Sequence, residues 1–173
     1  MADEPLYKTD PTAWNALLAE GNAKQARKRV SADVLIRDSQ NRVLLVQPSY
    51  KPGWDLPGGM AEANEPPHEA AIRELQEELG LSITIQELLC LDWVSPHGPW
   101  DDLLAFVFAA VVADHGAGLD DLRPHDAEIL SARFFPIDQA EGRLKEALRT
   151  RLAAAWSALG SGRTAYLIDG RPA

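Results

Sequence analysis

The sequence predicts an α/β fold in which helices hold a mixed β-sheet between them, and three observations carry that prediction. Strand-like runs at residues 32–37 and 42–47 flank a turn, and an uninterrupted apolar run, Leu103–Val112, reads as a buried strand. Two other stretches place apolar residues four apart: Ala71, Leu75 and Leu79, then Leu144, Leu148, Leu152 and Trp156. That spacing suits helices docked by one face on a sheet. A chain of 173 residues fits one domain with a substantial core, and neither repeats nor a second domain are visible.

Taken in order, residues 1–9 are expected to form a mobile end. Asp10-Pro11 supplies an N-cap and a proline for the first helical position, and Trp14, Leu17 and Leu18 then recur at helical spacing. A short amphipathic helix to about Glu20 is predicted. The basic stretch 24–29 is a solvated connection or a phosphate contact. Asp38-Ser39-Gln40-Asn41 turns the chain between strand 32–37 and its returning strand 42–47. Residues 48–57 hold prolines and a glycine, so they form a loop leading into Gly58 and Gly59, whose small size lets backbone approach a metal or phosphate. A helix over about Pro67 to Leu79 follows, opened by Asn64 or Glu65 and stopped by Gly80.

Beyond it, Ile83–Val94 reads as a bent strand ending in a loop at 95–100, and residues 114–124 as an acidic loop. A short strand at 132–137 and a helix over 138–158 come next. The tail at 160–173 carries Tyr166-Leu167-Ile168, which packs back or meets another subunit.

The chemistry concentrates at residues 58–81. Helical residues four apart share a face, so Glu74 and Glu78 point the same way with Glu77 beside them. Carboxylates crowded like this repel one another unless a cation lies among them, and hard oxygen donors suit Mg²⁺, Mn²⁺ or Ca²⁺. Gly59, Glu65, Arg73-Glu74-Leu75, Glu77-Glu78 and Gly80-Leu81 resemble the Nudix box at every fixed position, with looser resemblance over residues 30–140.

The resemblance implies a Nudix-type α/β/α sandwich at residues 30–158, preceded by an extension with a short helix at 1–29. A tail at 159–173 would pack on the domain or on a dimer partner. It also implies Mg²⁺-dependent hydrolysis, with Mn²⁺ as the alternative ion, of a phosphoanhydride in a nucleoside diphosphate linked to another group, such as ADP-ribose, or in a nucleoside triphosphate. The alternatives are a nucleotide-binding sensor of the same fold and an isoprenoid diphosphate isomerase, which would need a catalytic cysteine. The metal ligands implied are Glu74, Glu77, Glu78 and the Gly59 carbonyl. The general base is Glu74 or Glu77, or a downstream carboxylate, for which Glu128 is the candidate and Asp126 its rival. Arg73 positions the catalytic groups by pairing with Glu65 or Glu77, and Glu62 joins the shell or is solvated. Lys51 and Arg37 are candidates for a terminal phosphate, and Trp54, Trp93 and Trp100 for stacking on a base or for packing. His97 hydrogen-bonds a base or ribose or is an ordinary loop residue, and Pro96 resembles a proline common after the box in ADP-ribose hydrolases.

The composition narrows the partners. A net charge of −9 without a basic block argues against nucleic acid, whereas a cation held by the glutamates would still admit a small anionic substrate. No apolar run is long enough for a bilayer, and the first residues lack a signal peptide's basic and apolar regions, so the cytoplasm is the expected location. Cys90, a lone cysteine in an apolar run, reads as a core residue. A homodimer is the assembly common in the family.

Overall fold

The computed structural model describes residues 4–112 and 122–173. The acidic loop expected at 114–124 therefore lies outside the described residues, except for Leu122, Arg123 and Pro124, which are irregular. In chain order the elements are α1 (Leu6–Thr9), α2 (Pro11–Ala23), β1 (Arg29–Ile36), β2 (Val43–Pro48), β3 (Gly58–Met60), α3 (Pro67–Leu79), β4 (Ile83–Val94) and β5 (Leu103–Val112). They continue with β6 (Ile129–Phe135), α4 (Ile137–Arg143), α5 (Glu146–Ser161), β7 (Ala165–Ile168) and β8 (Arg171–Pro172).

Six strands form one mixed sheet in the order β3-β1-β5-β4-β7-β8, while β2 and β6 pair antiparallel as a second sheet. The long apolar strand β5 lies between β1, parallel to it, and β4, antiparallel to it. Side chains alternate across a strand, so β1 divides its residues between two cores. Ala32, Val34 and Ile36 join Ala71, Leu75 and Leu79 of α3. Leu35 joins Leu152 and Ala155 of α5 on the other side. The result is an α/β/α sandwich. Leu75 is wholly buried at the centre of the α3 interface, and burial of such a side chain contributes about 1.5–3 kcal/mol.

Helix α3 has the predicted span, and Gly80 ends it in the left-handed conformation at φ 65°. Its N-cap is Pro66, not Asn64 or Glu65; Asn64 turns the preceding loop at φ 64° instead. The returning strand β2 does not zip up with β1. After one bridge between Arg37 and Val43 it leaves to pair with β6, which extends further toward its N-terminus than the sequence predicts. The helix expected over 138–158 is broken at Leu144, whose backbone is extended and bridges Trp54. That detour buries Leu144 in the second core.

At the N-terminus, Asp10 accepts a hydrogen bond from the Ala13 N–H at 2.9 Å, as an N-cap should. Residues 6–9 make a helical turn where a mobile end was expected. No residue of α2 is buried, and Leu17 and Leu18 remain half exposed, so its apolar residues are not part of the core. In the tail, β7 pairs parallel to β4 and buries Leu167.

Candidate active site

Helix α3 docks through Ala71, Leu75 and Leu79, which leaves Arg73, Glu74, Glu77 and Glu78 to meet strand β3 and the loop before the helix. Gly59 pairs with Ala32 of β1, and a Cβ on Gly59 would collide with the Glu74 carboxylate. Only glycine lets the carboxylate lie against that backbone. Gly58 is equally constrained: its φ is 136°, and a Cβ there would run into the Ala32 carbonyl oxygen.

Arg73 ties this cluster together. Its Nε and Nη2 donate to the two Glu65 carboxylate oxygens, both at 2.9 Å, and Nη1 donates to Glu74 at 2.9 Å and to Glu77 at 3.1 Å. Nη2 also donates to the Met60 carbonyl at 3.1 Å, joining helix, loop and edge strand through one guanidinium. The Arg73 contact holds the Glu65 carboxyl at about 2, and Glu65 further accepts the Glu62 backbone N–H at 2.8 Å. Both partners proposed for Arg73 are thus engaged, whereas the exposed Glu62 side chain makes no contact within this cluster.

Glu78 differs from its neighbours. Burial, reinforced by the charges of Glu74, Asp126 and Asp55, pushes its carboxyl up to about 8 against a hydrogen bond from the Gly58 backbone. Its Oε2 is buried with no hydrogen-bond partner among the described residues. The Glu74 carboxyl is raised in the same direction by burial, opposed by Arg73. Among the described residues no three His, Cys, Asp or Glu side chains stand gathered for a metal ion, and Glu74 and Glu77 are hydrogen-bonded to Arg73. The donor set nonetheless suits a hard divalent cation. An orphaned carboxylate oxygen, a second carboxylate against the Gly59 backbone and a third on the next helical turn supply oxygens only.

The loop leading into β6 closes over the end of α3. The His125 N–H donates to the Glu78 carbonyl at 2.7 Å, and the Ser49 N–H donates to the Glu128 carbonyl at 2.7 Å. Both downstream acids are exposed, and Asp126 accepts the Glu128 backbone N–H at 2.8 Å. The charge of Glu128 is felt at Glu74, and that of Asp126 at Glu78.

Across β1 from α3, a cavity of about 370 Å³ opens beside Gly58 and Gly59. Lys51, His97 and Trp100 line it; Lys51 is ion-paired with Asp55, and the Arg29 guanidinium lies 4.6 Å over the Trp100 ring. The other substrate candidates are placed elsewhere. Trp54 packs edge-on against Phe135 at 4.9 Å in the second core, and Trp93 donates to Asp102 at 2.9 Å. Arg37 bonds Asn41 at 2.8 Å at the far end of β1, and Pro96 is exposed on its loop without lining the cavity. Cys90 is buried in the second core with its thiol pushed up to about 12 by burial, which leaves no nucleophile for isomerase chemistry there.

Asp33 and Arg151, both buried and both lining this cavity, were missed in the sequence. Asp33 carried a signal, a single charge inside the apolar run 30–36. Arg151 carried none, since an arginine on an amphipathic helix ordinarily faces water.

Comparison with known proteins bears on this site. The sequence model of the NUDIX domain matches residues 27–156. An 8-oxo-dGTP diphosphatase of Proteus vulgaris is 42% identical over 59 residues, 32% of this chain and 53% of that protein. An ADP-ribose pyrophosphatase of Mycobacterium tuberculosis is 30% identical over 120 residues, 65% of this chain and 55% of that protein. The matches thus span about half the length of these relatives. Among solved structures, a UDP-X diphosphatase superposes with a TM-score of 0.68 at 21% identity, covering 90% of this chain and 74% of the other.

Proposed function

The chain belongs to the NUDIX domain family, and on that premise we propose that it is a divalent-cation-dependent hydrolase of a nucleotide phosphoanhydride. One observation carries the proposal: a Glu78 carboxyl oxygen is buried with no hydrogen-bond partner among the described residues, and Glu74, whose charge acts on it, lies against the Gly59 backbone. Glu78, Glu74 and the Gly59 carbonyl would hold the ion, which is Mg²⁺ or Mn²⁺, with Glu77 completing the set. Bound there, the cation supplies charge neutralisation to the diphosphate oxygens.

The protein's own groups do the rest. Arg73 keeps Glu74 and Glu77 oriented and locks the loop through Glu65. Glu128 takes the proton of the attacking water as its oxygen bonds to phosphorus and the bridging P–O bond breaks toward the leaving phosphate. It is favoured over Glu74 and Glu77 because both of those already bond Arg73, and over Asp126 because the Asp126 carboxylate already accepts the Glu128 backbone N–H. The substrate class is a nucleoside diphosphate linked to another moiety, such as ADP-ribose, or a nucleoside triphosphate, and it acts as a small soluble partner in the cytoplasm.

The test is turnover of a panel of such compounds with Mg²⁺ and with Mn²⁺, using wild type and Glu128→Gln. At least one substrate should be hydrolysed only with the cation present. Glu128→Gln should lower kcat by about 100-fold or more and flatten the acid limb of the pH–rate profile. Full turnover by the variant would move the base back to the box, and cation-independent turnover would overturn the metal assignment.

A further inference from the structure

The cavity beside Gly58–Gly59 holds a carboxylate that the proposed hydrolysis does not use. Asp33 is nine-tenths buried and lines the cavity, and its carboxyl is governed by burial and neighbouring charges rather than by a side-chain hydrogen bond. Lys51 and Arg151 act on it only through their charges. Lys51 is already paired with Asp55. Arg151, which lines the same cavity, donates its Nε to Asp92 at 2.7 Å. A largely buried acceptor and a planar donor fork thus line one cleft.

We infer that this cavity reads the base of a guanine nucleotide and that Asp33 is the residue that sets the preference. The inference rests on the nucleotide reading of the site. Gly59 is touched on one side by the Glu74 carboxylate and lines the cavity on the other, so phosphates at the glutamates place the rest of a nucleotide along β1 toward Asp33. The 370 Å³ volume is in the range of small-ligand clefts, roughly 300–1,000 Å³.

The donor pattern selects the base. Burial pushes the Asp33 carboxyl up to about 7, and above that pH it is ionised, accepting at both oxygens and donating at neither. Guanine presents two adjacent N–H donors, the ring N1–H and the 2-amino group, beside a carbonyl oxygen that accepts from arginine. Adenine and cytosine present one amino donor beside a ring nitrogen acceptor, which would face the second carboxylate oxygen lone pair to lone pair. A buried polar group left unpaired by the wrong base is the strongest source of discrimination a pocket has.

Equilibrium binding of GMP, IMP and AMP, measured above pH 7 where Asp33 is ionised, tests this, since none of the three contains a phosphoanhydride to be turned over. Wild-type protein should bind GMP about tenfold or more tighter than AMP, with IMP, which lacks the 2-amino donor, falling between. Asp33→Asn, whose thermal unfolding is recorded alongside, should bring the GMP-to-AMP ratio close to one. Equal wild-type affinities, or a guanine preference that survives in Asp33→Asn, would overturn the inference. The wild-type comparison of GMP with IMP needs no variant and decides the point if Asp33→Asn fails to fold. A guanine preference without cation-dependent hydrolysis would sink the enzymatic proposal alone, and base-indifferent binding with robust hydrolysis would sink this one alone.

Discussion

Two groups of buried charge lie on opposite sides of β1, and they are finished to different degrees. On the α5 side, Asp92 is wholly buried yet fully engaged: one oxygen accepts from Arg151 at 2.7 Å and the other from the Gly170 N–H at 3.0 Å. On the α3 side, Glu78 keeps one buried oxygen with no partner among the described residues, and its carboxyl is raised to about 8. The first group knits β4, α5 and the turn after β7 together. The second leaves a desolvated acceptor beside two more carboxylates. A charge satisfied within the chain belongs to the fold, whereas one left unsatisfied at real cost marks where something from outside belongs.

The largest expected effect breaks the unfinished side. Glu78→Gln should lower cation-dependent turnover at least about 100-fold, and the same substitution should stabilise the cation-free protein at alkaline pH. The sign follows from the direction of the shift. A carboxyl raised from 4.5 to about 8 contributes stability that is complete below 4.5 and is lost as pH climbs through 8. Asp33, raised from 3.8 to about 7 chiefly by burial, adds a second loss just below it. Thermal unfolding in chelator should therefore show Tm falling from about pH 4.5 to about pH 8 in wild type and levelling above it, and falling less in Glu78→Gln. A Tm profile identical in both would refute the unpaired-carboxylate account.

Breaking the finished side should cost stability first. Asp92→Ala leaves Arg151 buried without its partner and should lower unfolding free energy by about 3–5 kcal/mol in urea titrations. A loss below about 1 kcal/mol would mean that the pair is not the brace described here. The smallest effect sharpens the contrast from outside both groups. Replacing Leu17 and Leu18 of α2 together by Gln should change stability by no more than about 0.5 kcal/mol, because neither side chain is buried; a larger loss would show that α2 packs in solution.

The two sides also differed in how far the sequence revealed them. The box was legible because the Arg73 clamp ties Glu65, Glu74 and Glu77 together at fixed spacing within one helix and its approach. Helix α3 and the central strand β5 were legible for a related reason, as their apolar patterns are local and long. Long-range choices were not. Strand β2 leaves β1 for β6, and the helix expected at 138–158 breaks so that Leu144 can bridge Trp54; partners distant in sequence decide both. Asp33 and Arg151 share a cavity for the same reason: a strand near the start of the domain and a helix near its end meet only in the folded sheet.

Cys90 sits two residues before Asp92 on β4, is wholly enclosed, and is the chain's one cysteine. Its thiol, pushed up to about 12, carries almost no thiolate at neutral pH. A thiol-reactive dye added to the native protein can therefore label it only during excursions that expose the middle of β4. The labelling rate becomes a built-in clock for the opening of the strand that carries Asp92, read from a single atom without any engineered probe.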